Sequence, residues 1–283
     1  MKHVLRTAIA AAIACTLPAA VSTAHAAEVM PLIDAHVHYS HDAWAGLPPE
    51  AAIAVLKRAG LRKVFVSSSS DDGTLKLKAL EPDLIVPVLR PYRSRGETGT
   101  WFKDPTVVDM LEERLARGGY AGIGEFHIFG RDADGEVFRK VVALAKKYGV
   151  FLHAHSDEAA VEHIFAQDPS ATVLWAHSGF ADPDRIRAML KKHPRLWADL
   201  AFRSDHAQGG VEPSWKALFT EFPDRFMVGT DTYTRERWHF VEEHASWSRE
   251  WLKALPRDLA ERIAWKNAEA LAGWALSRKQ DKE

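Results

Sequence analysis

The sequence predicts one α/β domain of the (β/α)8, or TIM-barrel, class, with additional helices at its C-terminal end. Strand-like apolar runs alternate with helix-like segments along the chain, and this alternation is typical of a parallel sheet. The eight runs cover residues 31–37, 63–69, 84–89, 121–127, 150–155, 172–177, 196–201 and 225–230. Eight such units in a chain of 283 residues favour closure into one barrel, which takes about 250 residues.

Helix-like segments separate these runs, and their ends carry the expected capping residues. The segments cover residues 49–59, 73–80, 105–117, 135–148, 157–167, 183–193 and 213–221, and two more, 235–254 and 257–278, follow the last run. Asp104 and Asp182 each precede a proline at the first helical position, and Gly149 stands where a helix C-cap is expected. No linker rich in Gly, Pro or Ser divides the chain, so we expect residues 27–283 to form one domain.

The first 26 residues are predicted to be a secretory signal peptide. Basic residues precede an alanine-rich apolar run over 7–21, and Ala24-His25-Ala26 is a typical cleavage signal. The run is shorter than the roughly 20 apolar residues of a membrane span, so we expect cleavage after Ala26 and a periplasmic or secreted protein without a membrane span. The only cysteine, Cys15, lies in this leader, where its surroundings match a lipoprotein signal poorly. Metal ligands in the mature chain would therefore be His, Asp and Glu.

Charge and composition narrow the choice of partner. The chain has 37 Lys and Arg against 38 Asp and Glu, and no polybasic run. This balance disfavours electrostatic capture of nucleic acid and favours a small-molecule substrate. A homo-oligomer is compatible with the sequence.

Metal-binding residue types recur where the apolar runs end. His36 and His38 lie two apart on the first run, so a strand would turn both to one face. Later runs end in Glu125, His153, His177 and Asp231. In a TIM barrel the C-terminal strand ends meet at one rim, which carries the active site. We therefore expect these six side chains to converge within a few ångströms.

These residues resemble the metal-binding motifs of the amidohydrolase superfamily, mainly its amidohydrolase-related branch, with some TatD-like features. The matching segments are His36-Val-His38, Gly122-Ile-Gly-Glu125, Val150-Phe-Leu-His153, Leu174-Trp-Ala-His177, Val228-Gly-Thr-Asp231 and a closing Asn267-Ala-Glu-Ala-Leu271. The resemblance implies a divalent metal, Zn²⁺ or Mn²⁺, as one or two ions. It implies that the first ion is held by His36, His38, His153 and Asp231, and that Glu125 and His177 share a second ion if one is bound. With one ion, Glu125 and His177 would instead support the ligands or polarise the substrate.

The resemblance also implies a reaction. A metal-activated water would attack a small amide, ester or lactone, with Asp231 accepting the proton of the water and His177 helping to polarise the scissile group. On strand five His153 and His155 share a face, so either could reach the metal. His153 fits the motif better, and His155 then becomes a substrate contact.

Further substrate contacts are predicted from position alone. Arg90 and Arg203 follow strands three and seven, where a guanidinium on the rim would suit an anionic substrate group. Trp44, Trp101 and Trp238 fall in loops at the same end and are candidates for an aromatic pocket.

Three other functions use similar residues. They are a TatD-like metal-dependent nuclease or phosphodiesterase, a non-oxidative decarboxylase, and a periplasmic metal- or ligand-binding protein without turnover. The balanced charge and the Gly229-Thr230-Asp231 segment disfavour the nuclease. Turnover by the metal-loaded protein separates an enzyme from a binding protein.

Overall fold

The predicted barrel is confirmed by a computed structural model, which describes residues 29–277. The expected leader over 1–26, with Cys15, lies outside the described residues. The eight strands are β1 (Leu32–Val37), β2 (Leu61–Ser67), β3 (Ile85–Leu89), β4 (Gly122–His127), β5 (Phe151–His155), β6 (Val173–Trp175), β7 (Leu196–Asp199) and β8 (Phe226–Met227). All neighbouring strands are parallel and follow one another around the sheet in chain order.

Backbone hydrogen bonds close the barrel between its first and last strands. The amide of Ala35 donates to the carbonyl oxygen of Val228 at 2.9 Å, and the amide of Asp231 donates to that of His36 at 2.8 Å. Asp34 adds a side-chain tie, because its carboxylate accepts the Thr230 hydroxyl at 2.7 Å. The first strand therefore carries His36 and forms the seam that positions Asp231.

β6 and β8 are the strands that fall furthest short of the predicted runs. β6 ends at Trp175 and β8 ends at Met227, whereas the apolar runs extended to residues 177 and 230. The backbone leaves the extended region beyond both strands and reaches positive φ at His177 (55°) and Asp231 (49°). The two residues are therefore presented by turns and not by strand pleats.

The helices lie between the strands largely as predicted. They are α1 (His41–Trp44), α2 (Pro49–Arg58), α3 (Asp72–Leu80), α4 (Thr106–Ala116), α5 (Glu136–Tyr148), α6 (Glu158–Gln167), α7 (Pro183–Lys192), α8 (Pro213–Glu221), α9 (Arg235–Trp238), α10 (Val241–Leu252), α11 (Arg257–Glu261) and α12 (Asn267–Ser277). Short 3₁₀ turns cover Arg95–Glu97, Trp101–Lys103, Gly130–Asp134 and Ala176–Phe180, and a π-helical turn, Arg262–Lys266, joins α11 to α12.

The single helix predicted over 235–254 is wrong. Phe240 leaves the helical region with φ −103° and ψ 4°, so the segment divides into α9 and α10. Within α9, Arg237 donates to the carbonyl oxygens of Asp231 at 2.9 Å and Thr230 at 2.7 Å. The short helix thus holds the turn after β8.

An apolar layer lies beneath the site. Phe151 belongs to a buried cluster with Phe65 and Val86, and Leu271 and Ala275 of α12 complete it. Phe151 shares its strand face with His153 and His155, so the polar site lies directly above this layer. Residues 29–277 include no helix long and apolar enough to span a membrane.

Candidate active site

A cavity of about 390 Å³ opens at the C-terminal ends of the strands. Its lining combines titratable groups with aromatic rings: His38, Ser40, Asp42, Ser69, Arg90, Arg95, Thr98, Glu125, His127, His155, Phe180, Phe202, Asp231 and Tyr233. The six expected ligands lie at this end of the barrel. His38, Glu125 and Asp231 line the cavity, whereas His36, His153 and His177 do not, and all six are buried.

Hydrogen bonds set the ring orientations of three histidines. Nδ1 of His38 lies 2.6 Å from the carbonyl oxygen of Ser67, and Nδ1 of His177 lies 3.0 Å from that of Ala201. Nδ1 of His36 lies 3.1 Å from the Asp199 carboxylate. Carbonyl and carboxylate oxygens only accept hydrogen bonds, so each Nδ1 carries the proton. A ring that carries no second proton then presents the lone pair of Nε2 towards the centre.

Two carboxylates meet these nitrogen atoms. Nε2 of His38 lies 3.2 Å from Nε2 of His36, 3.1 Å from Oδ1 of Asp231 and 3.2 Å from Oε2 of Glu125. Gly124 allows the close approach of β4 and β5 beside Glu125, since its φ is 134° and a Cβ there would lie 2.2 Å from the carbonyl oxygen of His153. Four ligand atoms, from His36, His38, Glu125 and Asp231, lie within 4.8 Å of one another.

Burial and charge fix the protonation of this group. Burial alone would lower the pKa of His36, but the charges of Asp199, Glu125 and Asp231 outweigh it and hold that pKa well above its usual value. Burial would raise the pKa of Asp231, but His36 and His38 lower it to about 2. The carboxylates are therefore ionised, and the centre attracts a positive charge, which is either a second proton on His36 or a cation that takes its place. Buried imidazole and carboxylate ligands without any thiolate fit a divalent cation such as Zn²⁺ or Mn²⁺.

Asp199, at the end of β7, was missed by the sequence analysis. Its Oδ2 lies 3.1 Å from Nδ1 of His36 and 3.0 Å from Nε2 of His153, and its Oδ1 accepts the backbone amide of His177 at 2.9 Å. The side chain is fully buried. A carboxylate within the apolar run 196–201 was the available signal, and the run was read only as a strand.

The two strand-five histidines have different surroundings. His153 lies below the centre against Asp199, and none of the groups of converging ligand atoms among residues 29–277 includes it. Burial and the charge of His36 lower the pKa of His153 to about 4. His155 lies one pleat higher, with Nδ1 2.7 Å from Glu125 and 3.2 Å from Nε2 of His177. Of the two, His155 lies nearer to Glu125 and His177, and His153 as the metal ligand on this strand stays a prediction.

The turns after β6, β7 and β8 hold unusual backbone conformations. The non-glycine residues with positive φ in the described chain are His177, Ser178, Phe180, Phe202 and Asp231. Such conformations cost on the order of 1–3 kcal/mol each and persist only where surrounding contacts hold them. Arg203 donates to the carbonyl oxygen of His177 at 3.2 Å, and Arg237 does the same for Asp231 at 2.9 Å.

The predicted rim position of Arg203 is wrong. The residue is 6% exposed and its guanidinium pairs with both carboxylate oxygens of Asp205, at 2.8 and 2.7 Å. It also lies over the ring of Trp215, so it braces the turn after β6 from behind. Arg90 does line the cavity, where it donates to Oε2 of Glu125 at 2.8 Å. Its contact with substrate stays a prediction.

The aromatic side chains in the cavity are not the predicted tryptophans. Trp44, Trp101 and Trp238 do not line it, because their indole N–H groups donate to the backbone carbonyls of Tyr39, His127 and His38. Phe180, Phe202 and Tyr233 form one wall instead and are 57%, 47% and 36% exposed. These residues lie in the loops after β6, β7 and β8, and the periodicity of the sequence does not predict where a loop side chain points.

A family model described as amidohydrolase matches residues 93–274, which is more than half of the chain. The comparison with curated proteins finds no match. Among solved structures, an uncharacterised TIM-barrel protein from Bordetella bronchiseptica is similar with a TM-score of 0.62 and 15% identity, over 87% of this chain and 99% of the other.

Two further solved structures are similar at low identity. A candidate 2-pyrone-4,6-dicarboxylic acid hydrolase from Pseudomonas putida has a TM-score of 0.60 and 14% identity, over 87% of this chain and 98% of that one. An amidohydrolase from Burkholderia multivorans has a TM-score of 0.53 and 18% identity, over 86% and 99%. These likenesses support the fold, and the family-model match shows the family. The chain therefore belongs to the amidohydrolase family.

Proposed function

We propose that this protein is a metal-dependent hydrolase that uses activated water to cleave an amide, ester or lactone in a small substrate. The observation that carries the proposal is the orientation of His36, His38 and His177. Each has its Nδ1 proton committed to a fixed acceptor, so three Nε2 atoms converge with two ionised carboxylates. Such an arrangement repels itself unless a cation or a proton lies within it.

The proposed cation is Zn²⁺ or Mn²⁺, held by His36, His38 and Asp231 with Glu125 as a shared or neighbouring ligand. His155 and His177 both approach Oε1 of Glu125, and with this carboxylate they would form the site for a second ion. When bound, the cation would supply Lewis-acid activation of water and of the substrate oxygen.

The residues of the chain carry the proton transfers in this proposal. Asp231 is ionised and lines the cavity, with 12% of its side chain exposed, so it can accept a proton from the attacking water and return it to the leaving group. Arg90 donates to Oε2 of Glu125 and to its backbone carbonyl oxygen, and these two hydrogen bonds hold the carboxylate in place. Nε2 of His177 lies near the carboxylates of Glu125 and Asp231, where it would help to align the scissile group of the substrate.

The aromatic wall indicates the shape of the substrate. Phe180 stacks on His177 at 4.7 Å, and Phe202 lies 5.9 Å from the same ring. Both have positive φ and exposed rings, so the backbone holds apolar surface in water beside the reactive centre. An exposed apolar surface of this kind favours a substrate with a planar apolar part. A pyrone is a cyclic ester, and the name of the Pseudomonas putida neighbour therefore supports including lactones in a substrate panel.

The direct test is metal analysis of the purified protein, followed by an activity panel. Metal-stripped protein reloaded with Zn²⁺ or Mn²⁺ should hydrolyse at least one member of a set of aryl esters, aromatic lactones and amides. Cleavage of phosphodiesters alone would support the nuclease, and CO₂ release from aromatic acids would support the decarboxylase. Tight metal binding without turnover of any of these would contradict the proposed hydrolase and favour a binding protein.

We also propose that the protein is exported, because residues 1–26 have the charge and apolar pattern of a leader. The N-terminal mass of protein recovered from a periplasmic fraction tests this. A mature start at Ala27 is expected, whereas an uncleaved chain in the cytoplasm would contradict it.

A further inference from the structure

His127 lies in the cavity beside the proposed metal ligands. It is two residues beyond Glu125 on β4 and lines the cavity, and its ring stacks on that of His155 at 4.1 Å. Glu125, His127 and His155 offer ligand atoms within 4.8 Å of one another, so distance alone would make His127 a metal ligand. The hydrogen bonds of its ring indicate a different role.

Tyr92 controls the ring of His127. The Tyr92 hydroxyl accepts the backbone amide of His127 at 2.6 Å and lies 3.0 Å from Nδ1 of the same residue. Tyr92 is 1% exposed, and burial raises its pKa, so the hydroxyl keeps its proton. In residues 29–277, Nδ1 of His127 is the acceptor placed to receive that proton. Nδ1 therefore accepts a hydrogen bond, and a neutral ring carries its own proton on Nε2.

This tautomer is opposite to that of the histidines at the centre. In His36, His38 and His177 the Nδ1 atoms carry protons, so Nε2 is the nitrogen that each ring can offer to a metal. In His127 the Nδ1 lone pair accepts the Tyr92 proton, so coordination through Nε2 would require the ring proton to move to Nδ1 and the hydrogen bond from Tyr92 to break. The backbone is also fixed, because Trp101 donates to the carbonyl oxygen of His127 at 2.9 Å.

We propose that His127 binds the substrate by donating a hydrogen bond from Nε2–H, and that it is not a metal ligand. The proposal rests on the proposed function of the site. The acceptor would be an oxygen of the substrate that carries no proton, such as a carbonyl or carboxylate oxygen. Phe180, Phe202 and Tyr233 also line this cavity. The substrate class is thus a planar apolar group with an oxygen acceptor that His127 can reach.

Histidine NMR tests the tautomer without any substrate. Long-range ¹H–¹⁵N spectra of the ¹⁵N-histidine-labelled protein should show His127 with a proton on Nε2 alone, and His127→Gln identifies its signals. The pattern should persist when Zn²⁺ is added. In Tyr92→Phe the ring loses its hydroxyl partner and should populate both tautomers. An Nδ1-protonated ring in the wild type, or loss of the Nε2 proton on Zn²⁺ binding, would overturn the proposal.

Kinetics test the contact, with the aromatic lactone dihydrocoumarin as the probe. His127→Phe removes the donor and should raise KM about tenfold, a factor typical of one lost hydrogen bond, with zinc content unchanged. His127→Gln keeps an N–H group at a similar reach and should stay within about threefold of the wild type, a difference well below one hydrogen bond. Equal KM values in wild type and His127→Phe would overturn the contact. If the wild type hydrolyses nothing, the proposed function fails while the tautomer and zinc spectra still decide whether His127 is a ligand.

Discussion

The two sides of this barrel deliver side chains to the centre in different ways. On β1, β4 and β5 the strand pleat does so, and it produces pairs two residues apart. These are His36 with His38, which directly follows β1, then Glu125 with His127, and His153 with His155. β6 and β8 end before the site is reached, and His177 and Asp231, which follow them, themselves adopt the left-handed backbone conformation. The pleated side is positioned by the sheet itself, whereas the turned side depends on contacts from outside it.

The external contacts come from two arginines and one buried carboxylate. Arg203 and Arg237 hold the carbonyl oxygens of His177 and Asp231. Asp199 joins both sides, because it touches His36 and His153 from the pleated side and the amide of His177 from the turned side. A pleat fixes which face a side chain takes, whereas a turn needs such braces. We therefore expect substitutions in the two sets to fail in different ways.

Loss of a pleated ligand should have the largest effect. His36→Ala and His38→Ala each remove a nitrogen that faces two carboxylates, so both should lose most of the bound metal and reduce turnover to background. Metal content by mass spectrometry and hydrolysis of the best panel substrate measure this. His239→Ala, an exposed histidine at the end of α9, should match the wild type. Full metal occupancy in either ligand variant would break the assignment of the pair.

Asp231→Asn should affect turnover more than metal content. The amide keeps an oxygen near His38 but cannot accept the proton of water, so kcat should fall by about 10²- to 10⁴-fold. Metal analysis and kcat on one sample of protein separate the two effects. Asp224→Asn, an exposed carboxylate before β8, is the matched control. Wild-type kcat in Asp231→Asn would remove the proton-transfer role.

Asp199→Asn should have an intermediate effect. The substitution leaves every proposed ligand in place but weakens the acceptor that orients His36, and outer partners of this kind are typically worth about 10- to 100-fold in metal affinity. Competition with a metal chelator measures the loss. An unchanged metal affinity would show that the sheet alone orients His36, without help from Asp199. The strand-borne and turn-borne sides would then differ even more clearly.

Arg203→Lys should have the smallest effect and should change kcat, not KM. The guanidinium of Arg203 binds both carboxylate oxygens of Asp205 and also donates to the carbonyl oxygen of His177. Lysine keeps the charge but cannot make all of these hydrogen bonds at once, so the turn after β6 should become less rigid. We expect a loss of less than about tenfold in kcat and a lower Tm, with KM unchanged. Arg185→Lys, on the exposed face of α7, is the control. A raised KM with normal kcat and Tm would return Arg203 to substrate binding.

The side chains that face the site from β1, β4 and β5 could be predicted from the sequence, because the alternation of a strand fixes which residues share a face. The same rule leaves the depth of each residue open, so it could not separate His153 from His155. That separation depends on Asp199, whose contacts span 163 positions to His36 and 46 to His153. The pair of Glu125 and His127 had the same spacing as His36 and His38, and this signal could have identified His127.

The residues in the turns after β6 and β8 were harder to predict from the sequence. The order of motifs placed His177 and Asp231 after β6 and β8, but no periodicity predicts a left-handed histidine or aspartate. Arg203 was assigned to the rim because it follows β7, yet its side chain turns into the loop after β6 and pairs with Asp205. The exposed rings of Phe180 and Phe202 depend on the same turns and appear only once the backbone is known.

The central claim is that a pleated pair and a turned carboxylate share one cation. Anomalous diffraction from crystals of the zinc-loaded protein, measured on both sides of the zinc absorption edge, tests it most directly. We predict a zinc peak at about 2.0–2.2 Å from Nε2 of His36, Nε2 of His38 and an oxygen of Asp231. A peak bound by His127 and His155 without the His36 and His38 pair, or no peak at this end of the barrel, would contradict the account.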